Sequence, residues 1–270
     1  MSTDENPTIE SVNRNAQASP TSQCGEPIEP PGQVPLTTDF SSALGLAASD
    51  LRYEIKLVCD PHMLAQARSW IRLHPAGFVV AYPPRRVNSL YLDTLRLSSL
   101  NDNLEGLSAR RKLRLRWYGD GMADIQPALE LKEKRNLLGR KKRYVLPRQL
   151  DLRLPWTQIL QMVRADVGPE WQALLQTADQ PTLLIHYQRE YYVTRDGEIR
   201  ATVDFNQVAY DQRLTSRPNL RLRLPITDTV VIEIKTGQAH AERLHQVAAR
   251  FPVLRSRHSK YARGLLTALG

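Results

Sequence analysis

The run Lys112-Leu113-Arg114-Leu115-Arg116-Trp117-Tyr118 alternates cationic and apolar side chains. Successive side chains of an extended strand point to opposite faces. Lys112, Arg114 and Arg116 therefore share one face, and Leu113, Leu115 and Trp117 the other. A second alternation over Ala128–Lys134 sets Glu130, Lys132 and Lys134 against Leu129 and Leu131. A lone amphipathic strand of this kind is ordinarily half of a sheet with its charges in water. The sign of the charge is the constraint in this case, because three cations lie in line about 7 Å apart. At that spacing two like charges repel by about 0.6 kcal/mol in water and by about 2.4 kcal/mol at an effective dielectric of about 20. Such a row is cheap on an open surface. In a cleft it is costly unless an anion fills the cleft.

The rest of the chain bears on that choice. Its 270 residues suffice for one large domain or two small ones, with 41% hydrophobic residues enough for a core. Net charge is +9. Residues 1–45 carry Asp4, Glu5, Glu10, Glu26, Glu29 and Asp39 against Arg14, a balance of −5, which leaves +14 on the remainder. A domain so basic expects a polyanionic partner: nucleic acid, an anionic membrane surface or phosphate chains. Cys24 and Cys59 make no disulfide framework, which fits a reducing cytoplasm. No apolar run approaches the length of a transmembrane segment, and the N-terminus, polar and acidic, is unlike a signal peptide. The expected location is cytoplasmic, at most peripheral to the inner face of a membrane.

Residues 1–45, rich in Pro, Ser, Thr, Asn and Gln, read as a disordered acidic tail ahead of a single domain over 46–270, with a weak helical run at Ser41–Ser49. The domain opens on a strand, Arg52–Val58. Asp60-Pro61 then predicts a helix start, and the helix runs to about Leu73. Tyr82–Arg86 reads as a loop, Val87–Asp93 as a strand and Leu97–Leu107 as a short helix. A strand starts at Gly139, and helices follow at Pro155–Asp166 and Pro169–Thr177. Thr182–Thr194 and Glu198–Phe205 form an antiparallel pair turned at Arg195-Asp196-Gly197. Arg221–Leu224 and Val230–Lys235 predict two further strands, and Ala239–Arg250 and Ser259–Leu269 two closing helices. Eight to ten mostly adjacent strands with helices between them predict an antiparallel α+β fold, and few spare edges predict a closed β-barrel with the helices packed outside.

One triplet recurs: Glu54-Ile55-Lys56, Glu130-Leu131-Lys132 and Glu233-Ile234-Lys235. Each sets an acid and a base on one strand face and an aliphatic residue on the other. Arg189, Arg200 with Thr202 and Asp204, and the Arg221/Arg223 pair add charge to other strands. Amphipathic helices can cover the aliphatic faces from outside, which turns the charged faces into a lumen. So many interior cations require a counter-anion. A linear phosphate chain presents acceptors on every side, which suits guanidinium forks and ammonium groups, and inward carboxylates suit a divalent metal on phosphate oxygens.

At this point the chain resembles the VTC domain, the polyphosphate polymerase branch of the triphosphate tunnel metalloenzymes, over roughly residues 50–265. The segments that carry the resemblance are Arg52-Tyr53-Glu54-Ile55-Lys56, Ser89–Asp93, Lys112–Gly119, Glu130-Leu131-Lys132, and Gly139 leading into Lys141-Lys142-Arg143. Tyr187-Gln188-Arg189, Ile199–Asp204, Glu233-Ile234-Lys235 and Ser259-Lys260-Tyr261 follow in order. The resemblance implies an antiparallel tunnel barrel. It matches Lys56, Arg114, Arg116, Lys132, Arg189, Arg200 and Lys260 to the family's phosphate-binding positions, with Lys141 or Lys142 as another. Glu233 matches the carboxylate that holds manganese or magnesium. Glu54, Glu130, Lys235 and Ser259 join the substrate-binding set. The wider superfamily often opens Glu-x-Glu-x-Lys. Arg52 stands in place of the first acid, which favours the polymerase branch over a hydrolase.

The implied reaction moves the γ-phosphate of ATP to a growing polyphosphate chain. A tripolyphosphatase or nucleoside or RNA triphosphatase on the same scaffold, and a non-catalytic polyphosphate-binding module, are the alternatives. No P-loop is present, which argues against an ordinary kinase or ATPase. Few aromatics among the inward positions argue against stacking nucleic-acid bases. A membrane-embedded partner that receives the product is left open. Asp204 reads as a second metal ligand or a charge partner for Arg200, with the partner role favoured, and Arg221 and Arg223 are expected to be solvated or at a tunnel mouth. His62, His74, His186, His240, His245 and His258 lack metal-ligand spacing.

Overall fold

The computed structural model describes residues 51–135 and 138–270. The tail over residues 1–45, with Cys24 and the Ser41–Ser49 run, lies outside the described residues. The strands among those residues are β1 (Arg52–Cys59), β2 (Phe78–Asp93), β3 (Ala109–Tyr118), β4 (Ala128–Arg135), β5 (Leu138–Val145), β6 (Gln180–Thr194), β7 (Ile199–Asp211) and β8 (Val230–Gly237). The helices are α1 (Leu64–Arg72), α2 (Ser98–Leu104), α3 (Trp156–Asp166), α4 (Pro169–Thr177), α5 (Ala241–Ala249) and α6 (Lys260–Leu269).

The strand order is β1-β5-β4-β3-β2-β6-β7-β8, and β8 returns to pair with β1, so the antiparallel sheet is a closed barrel. The two seams of β1 differ. Against β8 it pairs along its full length, Arg52↔Gly237 to Cys59↔Val230, whereas against β5 it makes only Arg52↔Gly139 and Tyr53↔Leu138. Beyond Tyr53, part of the β1 edge is met by the segment before α6 instead of by β5: Leu57 bridges Arg255, and the Ser256 N–H donates to the Lys56 carbonyl at 2.9 Å.

The aliphatic face of each strand lies outward beneath helices. Leu113, Leu115 and Trp117 of β3 and Leu129 and Leu131 of β4 pack with Trp156, Ile159 and Val163 of α3 and Trp171 and Leu175 of α4. On the other side Leu57, Ala201, Val203, Ile232 and Ile234 pack with Ala67 and Ile71 of α1 and Leu244, Val247 and Ala248 of α5. Burying a side chain of this size contributes about 1.5–3 kcal/mol, so these two cores fix which face of the sheet is left for the interior.

Helix α6 departs from the expected all-outside arrangement. Its Tyr261, Ala262 and Leu265 pack on Tyr91, Leu183, Ile185 and Ala209. Tyr91 sits opposite Arg114 in the β2–β3 ladder, and Leu183 sits opposite Tyr91. These apolar residues therefore belong to the face that carries the cations, and α6 seats against that face at one end of the barrel. Gly264 permits the approach, since a Cβ there would lie 2.6 Å from a Leu183 methyl. Ser259 caps the helix, its hydroxyl accepting from the Ala262 N–H at 3.3 Å.

Two segments differ from expectation. Tyr82–Arg86 is not a loop but part of β2, which follows β6 with register shifts at Val80/Tyr82 and Tyr82/Arg85. Pro83 and Pro84 fall in the shift, where no ladder N–H is required. Arg221–Leu224 is not a strand. Asn219 draws the Arg221 and Leu222 amides onto its side-chain oxygen at 3.1 and 2.9 Å, a local turn that competes with pairing. Leu222 is left 78% exposed.

Candidate active site

Three contacts join strands that are not neighbours. The Lys132 ammonium of β4 lies 3.2 Å from Glu54 of β1, with β5 between. An Arg189 nitrogen of β6 lies 3.6 Å from Glu233 of β8, with β7 between. Arg116 of β3 donates to the Tyr187 hydroxyl of β6 at 3.3 Å, with β2 between. Only the concave side of a barrel brings such residues together, so the charged faces line the bore.

One cluster surrounds Glu130, which is 2% exposed. Arg114 donates to it through Nε at 3.0 Å and through a terminal nitrogen at 2.8 Å. Arg116 stands 3.6 Å away, Lys141 3.4 Å and Arg143 3.9 Å. Burial pushes the Glu130 carboxyl up, but Arg116, Arg114 and Lys141 outweigh burial and hold it far below the usual carboxylate range. Arg114 also donates to the Tyr91 hydroxyl at 3.2 Å.

The second cluster is built on β1 and β8. Glu233 accepts from Lys235 at 2.5 Å and lies 3.3 Å from Lys56. Glu54 lies 3.1 Å from Lys56 and 3.7 Å from Lys235. Lys56 also donates to the His258 carbonyl at 2.8 Å, which ties β1 to the segment before α6. Against the cost of burial, the surrounding ammonium groups keep both Glu54 and Glu233 ionised, well below the ordinary carboxylate range.

Asp204, fully buried, corrects one expectation. Its partners are Arg189, bidentate at 2.5 and 2.6 Å, and Lys260 at 2.6 Å, rather than Arg200. Arg200 lies opposite Lys235 in the β7–β8 ladder, at the exposed end of the same face.

Register separates Lys141 from Lys142. Lys141 pairs with Lys132 and faces the bore; Lys142 pairs with Leu131, faces outward and contacts Glu170 of α4. Ser259 reaches the bore through its hydroxyl, which accepts from Lys112 at 2.8 Å. Lys112, Arg143 and Tyr187 join the bore without having been singled out as binding residues. Lys112 had the signal, since it alternates in phase with Arg114. Arg143 lacked one, because its face depends on the β4–β5 register. Burial, with Lys56, Lys132, Arg110 and Arg114 close by, lowers Lys112 to about 7. Lys132, though raised by Glu54, is brought down to about 8 by burial and Lys56.

Among the described residues, these clusters gather ten basic side chains (Lys56, Lys112, Arg114, Arg116, Lys132, Lys141, Arg143, Arg189, Lys235 and Lys260) around four carboxylates (Glu54, Glu130, Asp204 and Glu233), an excess of six before Arg85 and Arg200 of the same face are added. The Arg116 Nε and the Thr202 hydroxyl are buried without a hydrogen-bond partner. Buried polar atoms are almost always satisfied in folded proteins, so orphaned donors beside surplus positive charge describe a site for an anion. Among the described residues, no group of three or more His, Cys, Asp or Glu side chains forms a metal cage. Glu233 is a carboxylate, the donor type that hard divalent cations take, and Lys235, Lys56 and Arg189 are its partners here. No helix among the described residues is long and apolar enough to cross a membrane.

Among solved structures the chain is similar to an adenylate cyclase-like protein of Vibrio parahaemolyticus, at 13% identity over 77% of this chain and 95% of that one, with a TM-score of 0.44. It is also similar to an adenylyl cyclase-like protein of Hippeastrum with a dominant triphosphatase activity, at 13% identity over 78% and 93%, TM-score 0.45. A third similarity is to the Mediator head module of Schizosaccharomyces pombe, at 10% identity over 74% and 89%, TM-score 0.39. No curated protein matches the chain. Residues 51–269, which include every bore residue named above, match the VTC domain, and the chain belongs to that family.

Proposed function

We propose that the chain is a polyphosphate polymerase that moves the γ-phosphate of ATP onto the end of a polyphosphate chain held in the bore. The observation that carries this reading is the enclosed excess of six cations over carboxylates. A triphosphate and the chain that receives from it bring negative charge along their whole length. Guanidinium forks and ammonium groups on opposite walls can engage such a ligand from all sides.

Arg114, Arg116, Lys132, Arg189, Arg200 and Lys260, with Lys56 and Lys141, bind and align the phosphates. Glu130, Asp204 and Glu54 hold those cations in place without neutralising them. The terminal oxygen of phosphate or of the growing chain attacks the γ-phosphorus in line. One P–O bond forms, the bridging bond to the β-phosphate breaks, and its electron pair leaves on ADP. Phosphoryl transfer asks chiefly for positioning and electrostatic stabilisation. Glu233 would hold magnesium or manganese together with phosphate oxygens, and the ion would neutralise charge developing on the transferred group.

A phosphate acceptor favours this reading over hydrolysis. Its oxygen is already anionic and needs no base, whereas water is best activated by one. All four bore carboxylates are locked to cations with lowered affinity for a proton, which makes them poor bases. Incubation with ATP and manganese, with products resolved on a gel, tests the proposal. Chain products with ADP are expected. Orthophosphate alone would assign a triphosphatase, and salt-sensitive binding with no turnover a binding module.

A further inference from the structure

Arg85 is set apart from the other bore arginines. Arg114 and Arg189 each grip a carboxylate with two nitrogens. Arg85 pairs with no carboxylate among the described residues, and its Nε is buried without a hydrogen-bond partner. What holds it is aromatic. Its guanidinium carbon lies 4.5 Å from the centroid of Tyr118, 4.9 Å from that of Tyr191 and 5.9 Å from that of Tyr82. Ring faces attract the guanidinium charge without accepting its N–H groups in ordinary hydrogen bonds, which leaves those donors for an anion such as phosphate. The Tyr191 hydroxyl is likewise buried, with no partner in full hydrogen-bond geometry, and it lies beside Arg85.

The bulge at Pro83-Pro84 sets this arrangement, because it puts Arg85 opposite Arg189 in the β2–β6 ladder while Tyr82 stays opposite Tyr191. Like charges directly opposite each other destabilise a sheet, and Asp204 already occupies Arg189. Tyr191 in turn lies opposite Thr202, whose hydroxyl is also orphaned, and Thr202 lies opposite Glu233. A line of unsatisfied donors therefore runs from the Glu233 region along Thr202 and Tyr191 to Arg85, ending where Tyr118 is 43% exposed.

We infer that Arg85 and Tyr191, framed by Tyr82 and Tyr118, form a separate phosphate subsite that holds a unit of the polyphosphate chain beyond the reacting triphosphate. This rests on the polyphosphate reading above and adds where the chain leaves the central cluster. The subsite engages only ligands long enough to reach it.

Titration calorimetry of the full chain with inorganic tripolyphosphate, with long-chain polyphosphate and, in a separate titration, with ATP tests it. In Arg85→Ala the affinity for the long chain is expected to fall about tenfold, as for loss of one charge-assisted contact. Affinity for tripolyphosphate should stay within about twofold, since the short ligand is served by the central cluster alone. Tyr191→Phe, which removes only the hydroxyl, and Arg85→Lys, which keeps the charge but loses the fork, should each weaken the long chain by a smaller factor and spare tripolyphosphate. Equal loss for both ligands, no loss in any variant, or a loss confined to ATP would overturn the subsite; the last result would give the tyrosines to the nucleotide's base. A wild-type protein that binds neither phosphate ligand would instead overturn the polyphosphate reading, and the subsite with it.

Discussion

Lys132 on β4 reaches past β5 to place its ammonium 3.2 Å from the carboxylate of Glu54 on β1. The two other Glu-x-Lys triplets pair internally, Glu54 with Lys56 at 3.1 Å and Glu233 with Lys235 at 2.5 Å. On β4 the acid is taken instead by Arg114, Arg116, Lys141 and Arg143, which frees Lys132 to cross the bore. One repeated sequence element thus yields two behaviours, and the difference ties the Glu130 cluster to the Glu233 cluster. A ligand lying between them meets cations from β1, β3, β4, β6 and β8 at once.

On the proposed reading Glu233 acts on the reaction rather than on binding. Its neutral replacement removes a carboxylate from a site with surplus cations, so the field that attracts a phosphate chain is kept. Glu233→Gln is expected to lower turnover with ATP and manganese by about a hundredfold or more, the scale of losing a group that stabilises developing charge. Metal-free binding of tripolyphosphate, followed by calorimetry, should persist. Full metal-dependent activity in this variant would take Glu233 out of the site.

Glu130 has the opposite character. Buried at the centre of four cations, it offsets repulsion that would otherwise open the wall of β3, β4 and β5. Glu130→Gln leaves those cations uncompensated, and breaking a buried ion pair from one side costs about 3–5 kcal/mol. Urea unfolding should show a loss of that order, and saturating tripolyphosphate should restore much of it by supplying the missing negative charge. The acid limb follows in sign. Glu54, Glu130, Asp204 and Glu233 all bind protons less readily folded than unfolded. Their stabilisation is therefore complete above the ordinary carboxylate pKa of about 4 and is lost as pH falls below it. The urea midpoint should hold steady from neutrality to mild acid and then drop, with a shallower drop in Glu130→Gln.

Lys112 and Lys132 couple binding to protons. Lowered to about 7 and about 8, they are partly neutral in slightly alkaline solution, and an arriving phosphate favours their charged forms. In the empty protein the unfolded chain binds protons more readily at these two positions, so their contribution to stability improves as pH rises above about 7. Phosphate affinity should move the other way, weakening over the same range. Calorimetry with tripolyphosphate at pH 8, repeated in buffers of different ionisation enthalpy, should reveal proton uptake, and Lys112→Met should reduce it. Identical uptake in that variant would assign the protons elsewhere.

Alternation carried most of the fold, because β1, β3, β4 and β8 each bury one aliphatic face under helices and period two fixes the other face. What alternation cannot supply is register between strands. Arg143 and Lys141 became bore residues, and Lys142 an outer one, only through the pairing of β5 with β4. Asp204 could not be matched to Arg189 and Lys260 from sequence, because one partner sits on β6 and the other on a helix more than fifty residues away. Tyr82–Arg86 misled for a related reason. Two prolines normally end a strand, yet a bulge let β2 continue through them and brought Arg85 to the inner face.

The neighbouring lysines Lys141 and Lys142 give a test of that inner and outer assignment without reference to chemistry. Both carry the same charge and sit on the same strand, so any effect of overall electrostatics should be equal for the two. Lys141 lies 3.4 Å from Glu130 inside the barrel, whereas Lys142 meets Glu170 of α4 on the outside. An exposed ion pair such as the latter contributes at most about 1 kcal/mol to stability and nothing to the bore. Lys141→Ala is expected to weaken tripolyphosphate several-fold, about the loss of one charge-assisted contact, while Lys142→Ala stays within about twofold of the parent. Equal effects would mean that general attraction to a basic domain, rather than the inward face of β5, governs phosphate binding. The reverse order would mean that β5 is shifted by one residue against β4, since a single-residue slip exchanges every inward side chain for an outward one.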